Sequence, residues 1–216
     1  MTEKGTVFII DDDTAASASL AALVESMGLE YQRFDSAESF LAANIPTSTP
    51  ACVVTDLRMV GMSGIELQSE LRDAGIAIPL VMLTAYATTH AAVQSMKLGA
   101  VTVLDKGCSE QELWDGIAAG LHKSRKNISR QRSLNEVRER IAQLNDDEEK
   151  VLYLISHGKA NKQVAAELGI AIRTVEQRRR RIMRKLNVST FADLMRLVTY
   201  VEHIDSPDAA AGKPQR

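Results

Sequence analysis

The first half of the chain alternates short apolar runs with longer stretches whose apolar residues recur every three or four positions. Residues 6–10, 31–34, 51–55, 79–84 and 101–105 read as strands. Between them, Leu20, Leu23, Val24 and Met27 share a helical face that Gly28 stops. Residues 38–42 read as a short helix, and 63–74 and 89–98 as helices closed by Gly75 and Gly99. A fifth helix starts at Ser109, where Glu112 three residues on completes a capping box, and carries Leu113, Ile117 and Leu121 on one face. This alternation predicts an α/β domain over residues 1–122, built on a doubly wound parallel five-stranded sheet of the flavodoxin-like kind.

The pattern changes after His122. A polar, basic stretch follows, yet Ile128, Leu134, Val137 and Ile141 still recur at helical intervals without Gly or Pro, which predicts a helical linker over 123–143 able to pair with a second copy. Residues 144–203 then read as four helices. Asn145 and Glu148 cap the first, Asn161 opens the second, Gly169 turns into a strongly basic third from Arg173 to Leu186, and Thr190 with Asp193 caps the fourth. A helix, a glycine turn and a basic helix predict an all-α helix-turn-helix domain. Residues 204–216 read as a disordered tail.

Composition sharpens this only in part. With 216 residues, 45% hydrophobic and 25% charged, the chain has enough apolar material for two cores. The net charge of −2 hides an asymmetry, because acids crowd the strand ends and bases crowd the region after residue 172, so the average does not exclude nucleic acid. Cys52 and Cys108 have neither CxxC nor zinc spacing, which fits a reducing cytoplasm. No apolar run approaches a membrane span and no signal segment opens the chain, so a cytoplasmic protein without a membrane partner is expected.

The chemistry sits at the strand ends. The run 6–10 leads into Asp11, Asp12 and Asp13, and 51–55 delivers Asp56 before a glycine-containing loop. Ligands of open parallel sheets bind outside the carboxyl ends of the strands, so these acids converge on one crevice if the two strands are neighbours. Like charges that close need a cation, and oxygen-only donors favour Mg2+, which holds one or two carboxylates and leaves positions for phosphate oxygens. Thr84 and Lys106 end two further runs with a hydroxyl and an ammonium, the groups needed to hold the oxygens of a phosphorylated Asp56. Any one of these residues alone reads as a turn, a helix cap or a solvated charge, and Asp13 before Thr14 reads as a cap. A rival reading, an aspartyl-phosphate phosphatase of the haloacid dehalogenase type, fails on spacing because the Thr follows Asp13 directly.

The set of an acidic pair, Asp56, Thr84 and Lys106 resembles the receiver domain of bacterial two-component response regulators over roughly the first half of the chain. The segments 144–152 and 161–169, with Thr174-Val-Glu and Ile182-Met-Arg-Lys-Leu186, resemble the LuxR-type DNA-binding domain, so the whole resembles response regulators of the FixJ type. The resemblance implies that Asp56 takes a phosphoryl group from a histidine kinase. It also implies that Asp11, Asp12, Asp56 and the backbone carbonyl of Arg58 hold Mg2+, and that Thr84 and Lys106 read the phosphoryl group. It places a receiver dimer face on Ala92, Val93, Met96, Lys97, Val101 and Val103, and implies promoter DNA and RNA polymerase as partners and a transcription regulator rather than an enzyme. Four positions depart from the family pattern: Val60 and Gly107 stand where Pro is usual, Val103 where an aromatic switch ring is usual, and Ala171 where a Ser cap is common. These departures keep an alternative in view, a DNA-binding regulator or docking module that works without phosphorylation. Arg58 and Tyr86, two positions beyond Asp56 and Thr84, are expected to shield the phosphoryl group.

A helical wheel tests the basic helix. At about 100° per residue, Val175, Ile182, Met183 and Leu186 form one stripe, while Arg173, Gln177, Arg180, Arg181 and Arg184 fall opposite, where a major groove would lie. Arg173 and Thr174 at the helix start, and Lys162 in the preceding helix, are phosphate-contact candidates. Arg179 is expected to pack its stem beside the apolar stripe with its head near Glu148.

Overall fold

The computed structural model describes residues 5–43, 45–46, 48–85 and 88–205, the side chains of 202–205 excepted. Among these residues the chain forms two compact units that divide between Arg130 and Gln131.

In the first unit, β1 (Thr6–Ile10), β2 (Glu30–Phe34), β3 (Ala51–Thr55), β4 (Leu80–Thr84) and β5 (Thr102–Asp105) make one sheet in the order β2-β1-β3-β4-β5. Every pairing is parallel. The helices α1 (Thr14–Ser26), α2 (Ala37–Ala42), α3 (Gly64–Asp73) and α4 (Thr89–Lys97) provide the crossovers, and α5 (Glu110–Ile141) follows β5. Parallel strands must be covered on both faces, and the side-chain alternation divides accordingly. Val7, Ile9, Cys52, Val54, Val81 and Leu83 pack with Leu20, Val24, Leu113, Ile117 and Leu121 on the side of α1 and α5. Phe8, Ile10, Val53, Leu80 and Met82 pack with Phe40, Leu67 and Leu71 on the side of α2 and α3. The flavodoxin-like domain expected from the alternation is therefore present.

The capping box of α5 forms: Ser109 N–H donates to Glu112 at 2.9 Å and Glu112 N–H to Ser109 Oγ at 3.2 Å. The helix does not break near 122. Ser124 Oγ accepts the Ala51 N–H at 3.0 Å and Asn127 Nδ2 donates to the Ala77 carbonyl at 3.0 Å, so hydrogen bonds to the sheet end extend past the boundary expected there. The stretch expected as a linker continues α5 to Ile141.

The second unit contains α6 (Asp146–Ser156), α7 (Asn161–Leu168), α8 (Ile172–Lys185) and α9 (Phe191–Asp205). Asn145 and Glu148 form a capping box at the start of α6. Val151, Leu152, Ile155, Val164, Val175, Ile182, Leu186, Leu194 and Val198 share its core. Gly169 ends α7 in the left-handed region and lets α8 turn back across it. Residues 206–216, most of the expected tail, lie outside the described residues.

Candidate functional site

Strand register assembles the acidic pocket. Ile10 lies opposite Thr55, so Asp11 and Asp56 emerge side by side where the strand order reverses. Thr84 lies opposite Asp105, which delivers Lys106 to the same end of the sheet. The backbone links these ends, with Asp56 N–H donating to the Ile10 carbonyl at 3.1 Å and Lys106 N–H to the Thr84 carbonyl at 3.0 Å.

Lys106 Nζ stands 2.7 Å from Asp11 Oδ2 and 2.6 Å from Asp56 Oδ2, one ammonium bridging two carboxylates. Burial of Lys106 opposes its charge, but hydrogen bonds and attraction from Asp11 and Asp56 outweigh it and hold its pKa above the ordinary lysine value. Asp11 is 5% exposed and accepts the Asp13 N–H, while Asp13 caps α1 through Ala15 and Ala16 as its position before Thr14 suggested. Asp12 reaches across instead, accepting the Val60 N–H at 2.9 Å. Arg58 N–H donates to Asp56 Oδ1 at 3.1 Å. Thr84 is 1% exposed at the end of β4. Tyr86 lies outside the described residues.

Gly64 explains the glycine after Asp56. A Cβ there would stand 2.4 Å from the Asp56 carbonyl oxygen, so only glycine lets α3 begin this close to the acid.

The donor set fits a hard divalent cation. Asp11 and Asp56 already converge on one positive charge, and the Arg58 carbonyl belongs to the loop immediately after Asp56. Two carboxylates, a carbonyl and solvent match what magnesium takes. Among the described residues no group of three or more acidic, histidine or cysteine side chains is already gathered around a metal position; Lys106 lies between Asp11 and Asp56, and one oxygen of Asp12 accepts the Val60 N–H.

The residues expected at a dimer face lie on or beside α4 and β5. Val93 is 47% and Met96 50% exposed, Lys97 is exposed and Ala92 half-buried. Val101 and Val103 are half-buried, with Val103 packed partly against the α2–α3 side of the core, opposite Met82 in register.

In the second unit, α8 divides as the wheel requires. Val175, Ile182 and Leu186 are buried, whereas Arg173, Gln177, Arg180, Arg181 and Arg184 are exposed. Lys162 is exposed on α7 and Thr174 half-buried, and Ala171 supplies no side-chain cap. One expectation is corrected. The head of Arg179 does not approach Glu148: it donates to Asn161 Oδ1 at 2.6 Å and lies over the Phe191 ring at 5.0 Å. Lys185 takes that place instead, with Nζ 2.6 Å from Glu148 Oε2. Arg179 sits toward α7 and α9, while Lys185 is close enough to the end of α8 to reach the cap of α6. Glu148, 2% exposed, keeps its charge there: burial raises its pKa, but hydrogen bonds from Lys185 and Asn145 and attraction to Lys185 and Arg181 bring it below the ordinary glutamate value. Spacing along the chain carried no signal for this pair.

The fold and pocket define a receiver followed by a helix-turn-helix unit, and comparison with known proteins agrees. The response regulator receiver domain family matches residues 7–118, and the bacterial regulatory proteins of the luxR family match residues 142–198. The chain belongs to the two-component response regulators that join a receiver to a LuxR-type DNA-binding domain and regulate transcription. The transcriptional regulatory protein FixJ of Azorhizobium caulinodans is 37% identical over 209 residues, 97% of this chain and 99% of that one. Nodulation protein W of Bradyrhizobium diazoefficiens is 38% identical, over 90% of this chain and 85% of that protein. Among solved structures, the response regulator StyR is similar at a TM-score of 0.76 and 40% identity, covering 91% of this chain and 98% of that one. Among the described residues, no helix is long and apolar enough to cross a membrane.

Proposed function

We propose that this regulator is switched by phosphorylation of Asp56. A carboxylate oxygen of Asp56 attacks the phosphorus of a phosphohistidine on a histidine kinase. The new P–O bond forms as the P–N bond breaks, and the imidazole leaves with the electron pair. Asp11, Asp12, Asp56 and the Arg58 carbonyl would hold Mg2+, which supplies charge neutralisation for the phosphoryl oxygens when bound. Lys106 is positioned to exchange its contact with Asp56 Oδ2 for a phosphoryl oxygen, and the Thr84 hydroxyl to donate to another. The phosphoryl group carries roughly −1.5 to −2 where the carboxylate carried −1, and this added charge, with its three acceptor oxygens, then rearranges the ends of β4 and β5.

That rearrangement biases α4 and β5 towards pairing with a second copy, through Ala92, Val93, Met96, Lys97, Val101 and Val103. Dimers bring two α8 helices to half-sites about one turn of DNA apart. Gln177, Arg180, Arg181 and Arg184 face the major groove, and Arg173, Thr174 and Lys162 contact phosphates. Bound at a promoter in the cytoplasm, the dimer acts on RNA polymerase.

The observation that carries this reading is the single ammonium of Lys106 held between Asp11 and Asp56 at the carboxyl ends of the strands. Incubation with labelled acetyl phosphate and Mg2+ tests it. An acid-labile phosphoryl group should appear on the wild type and not on Asp56→Asn, and equal labelling of both would move the acceptor elsewhere. No labelling of either, with operator binding intact, would favour a regulator that works without phosphorylation.

A further inference from the structure

The loop after Asp56 is clasped from two sides. Val60 N–H donates to Asp12 Oδ2 at 2.9 Å, and Met62 N–H donates to Glu38 Oε1 at 2.8 Å. Asp12 belongs to the loop after β1 and Glu38 to α2, so two separate elements hold two amides of one short segment. Gly61, between those amides, has φ +83°, and a Cβ on it would stand 2.7 Å from Glu38 Oε1. A side chain at 61 would therefore be strained in the backbone and would crowd the carboxylate that holds Met62. Val60 is 81% exposed, so packing of its side chain does not fix the loop.

The same loop carries the Arg58 carbonyl, and its Val60 amide orients the Asp12 carboxylate through one oxygen while leaving the other for a ligand. Nothing in the sequence of α2 marked Glu38, because its partner lies in another element. Among the described residues, Glu38 bonds the Met62 amide and not the acids of the pocket. Its action would pass through the loop backbone.

We propose that Glu38 is a positioning residue for the magnesium site: by accepting the Met62 N–H it holds the segment from Arg58 to Met62 so that the Arg58 carbonyl and Asp12 face the cation. This rests on the reading of Asp11, Asp12, Asp56 and the Arg58 carbonyl as the magnesium ligands. Groups that orient metal ligands from outside the coordination shell typically influence affinity by an order of magnitude, and one hydrogen bond to an exposed carboxylate belongs at the lower end of that effect. Glutamine keeps the accepting oxygen and loses the charge, which separates positioning from simple attraction.

Calorimetric titration of the full chain with MgCl2, alongside amide hydrogen exchange at Met62 and thermal unfolding, tests it on the wild type, Glu38→Ala, Glu38→Gln and Asp56→Asn. Glu38→Ala should weaken magnesium binding roughly three- to tenfold and speed Met62 exchange, with an unfolding temperature close to that of the wild type. Glu38→Gln should restore both readouts to within about twofold. Wild-type affinity in Glu38→Ala overturns the proposal, and so does an equal loss in Glu38→Gln, which would assign the effect to charge. If the wild type binds no magnesium, or binds it no better than Asp56→Asn, the ligand reading fails and takes the proposal with it. That outcome differs from a failure confined to Glu38.

Discussion

Lys106 Nζ and Asp56 Oδ2 stand 2.6 Å apart, and the same ammonium reaches Asp11 at 2.7 Å, so the lysine offsets part of the negative charge that the two carboxylates bring together. Replacing it leaves two neighbouring carboxylates with no positive charge between them. Lys106→Met should lower stability by about 1–2 kcal/mol, and Mg2+ should recover most of that loss. Thermal unfolding with and without Mg2+ measures both.

The pH dependence follows from the raised pKa of Lys106. A group with a raised folded-state pKa contributes stability that is fully present below the unfolded value, about 10.4, and lost as pH rises through the folded one. The stability gap between the wild type and Lys106→Met should hold steady between about pH 7 and 9 and narrow above about pH 10.4. Denaturant titrations across that range would show a gap unchanged at high pH if the bridge did not contribute.

Glu148 behaves with the opposite sign, since its pKa is held below the ordinary glutamate value. Its contribution is present above the unfolded value, about 4.3, and lost as pH falls through the folded one. Glu148→Ala should destabilise the helix-turn-helix unit by about 2 kcal/mol at neutral pH, and the deficit should shrink below about pH 4.3. Helical circular dichroism of the mutant and wild type against pH checks this.

Two adjacent arginines of α8 should separate in their effects. Arg180 is exposed, whereas Arg179 is held by Asn161 and the Phe191 ring. Arg180→Ala and Gln177→Ala should cost about 1–3 kcal/mol on the specific operator and less on random DNA. Arg179→Ala should instead lower the unfolding temperature of its unit, through the lost cation–π contact and hydrogen bond, and weaken both DNAs alike. Titrations on an operator selected from a random pool and on a scrambled duplex, at several salt concentrations, would overturn the assignment if Arg180→Ala lost affinity equally on both.

The legible parts of the sequence are those whose cause is local. Strand runs, the Ser109–Glu112 and Asn145–Glu148 boxes, the Asp13 cap and the stripe Val175–Ile182–Leu186 all arise from spacings of one to seven residues, and the structure has each of them. The convergence of Asp11, Asp56, Thr84 and Lys106 was legible as well, because in a parallel sheet every strand end meets one edge. Partner choices between elements were not. Arg179 and Lys185 both lie toward the inward side of α8, and only the packing of α6, α7 and α9 decides which of them meets Glu148. Glu38 escaped for the same reason: its partner is a backbone amide, which has no sequence signature.

The most direct test is operator affinity before and after treatment with acetyl phosphate and Mg2+, for the wild type and Asp56→Asn, with sedimentation on the same samples. The wild type should gain dimer and bind at least about tenfold more tightly, a shift of about 1.4 kcal/mol, while Asp56→Asn keeps only its weak basal binding. A wild type that carries acid-labile phosphate on Asp56 with neither assembly nor affinity changed would contradict the coupling of the receiver to DNA binding.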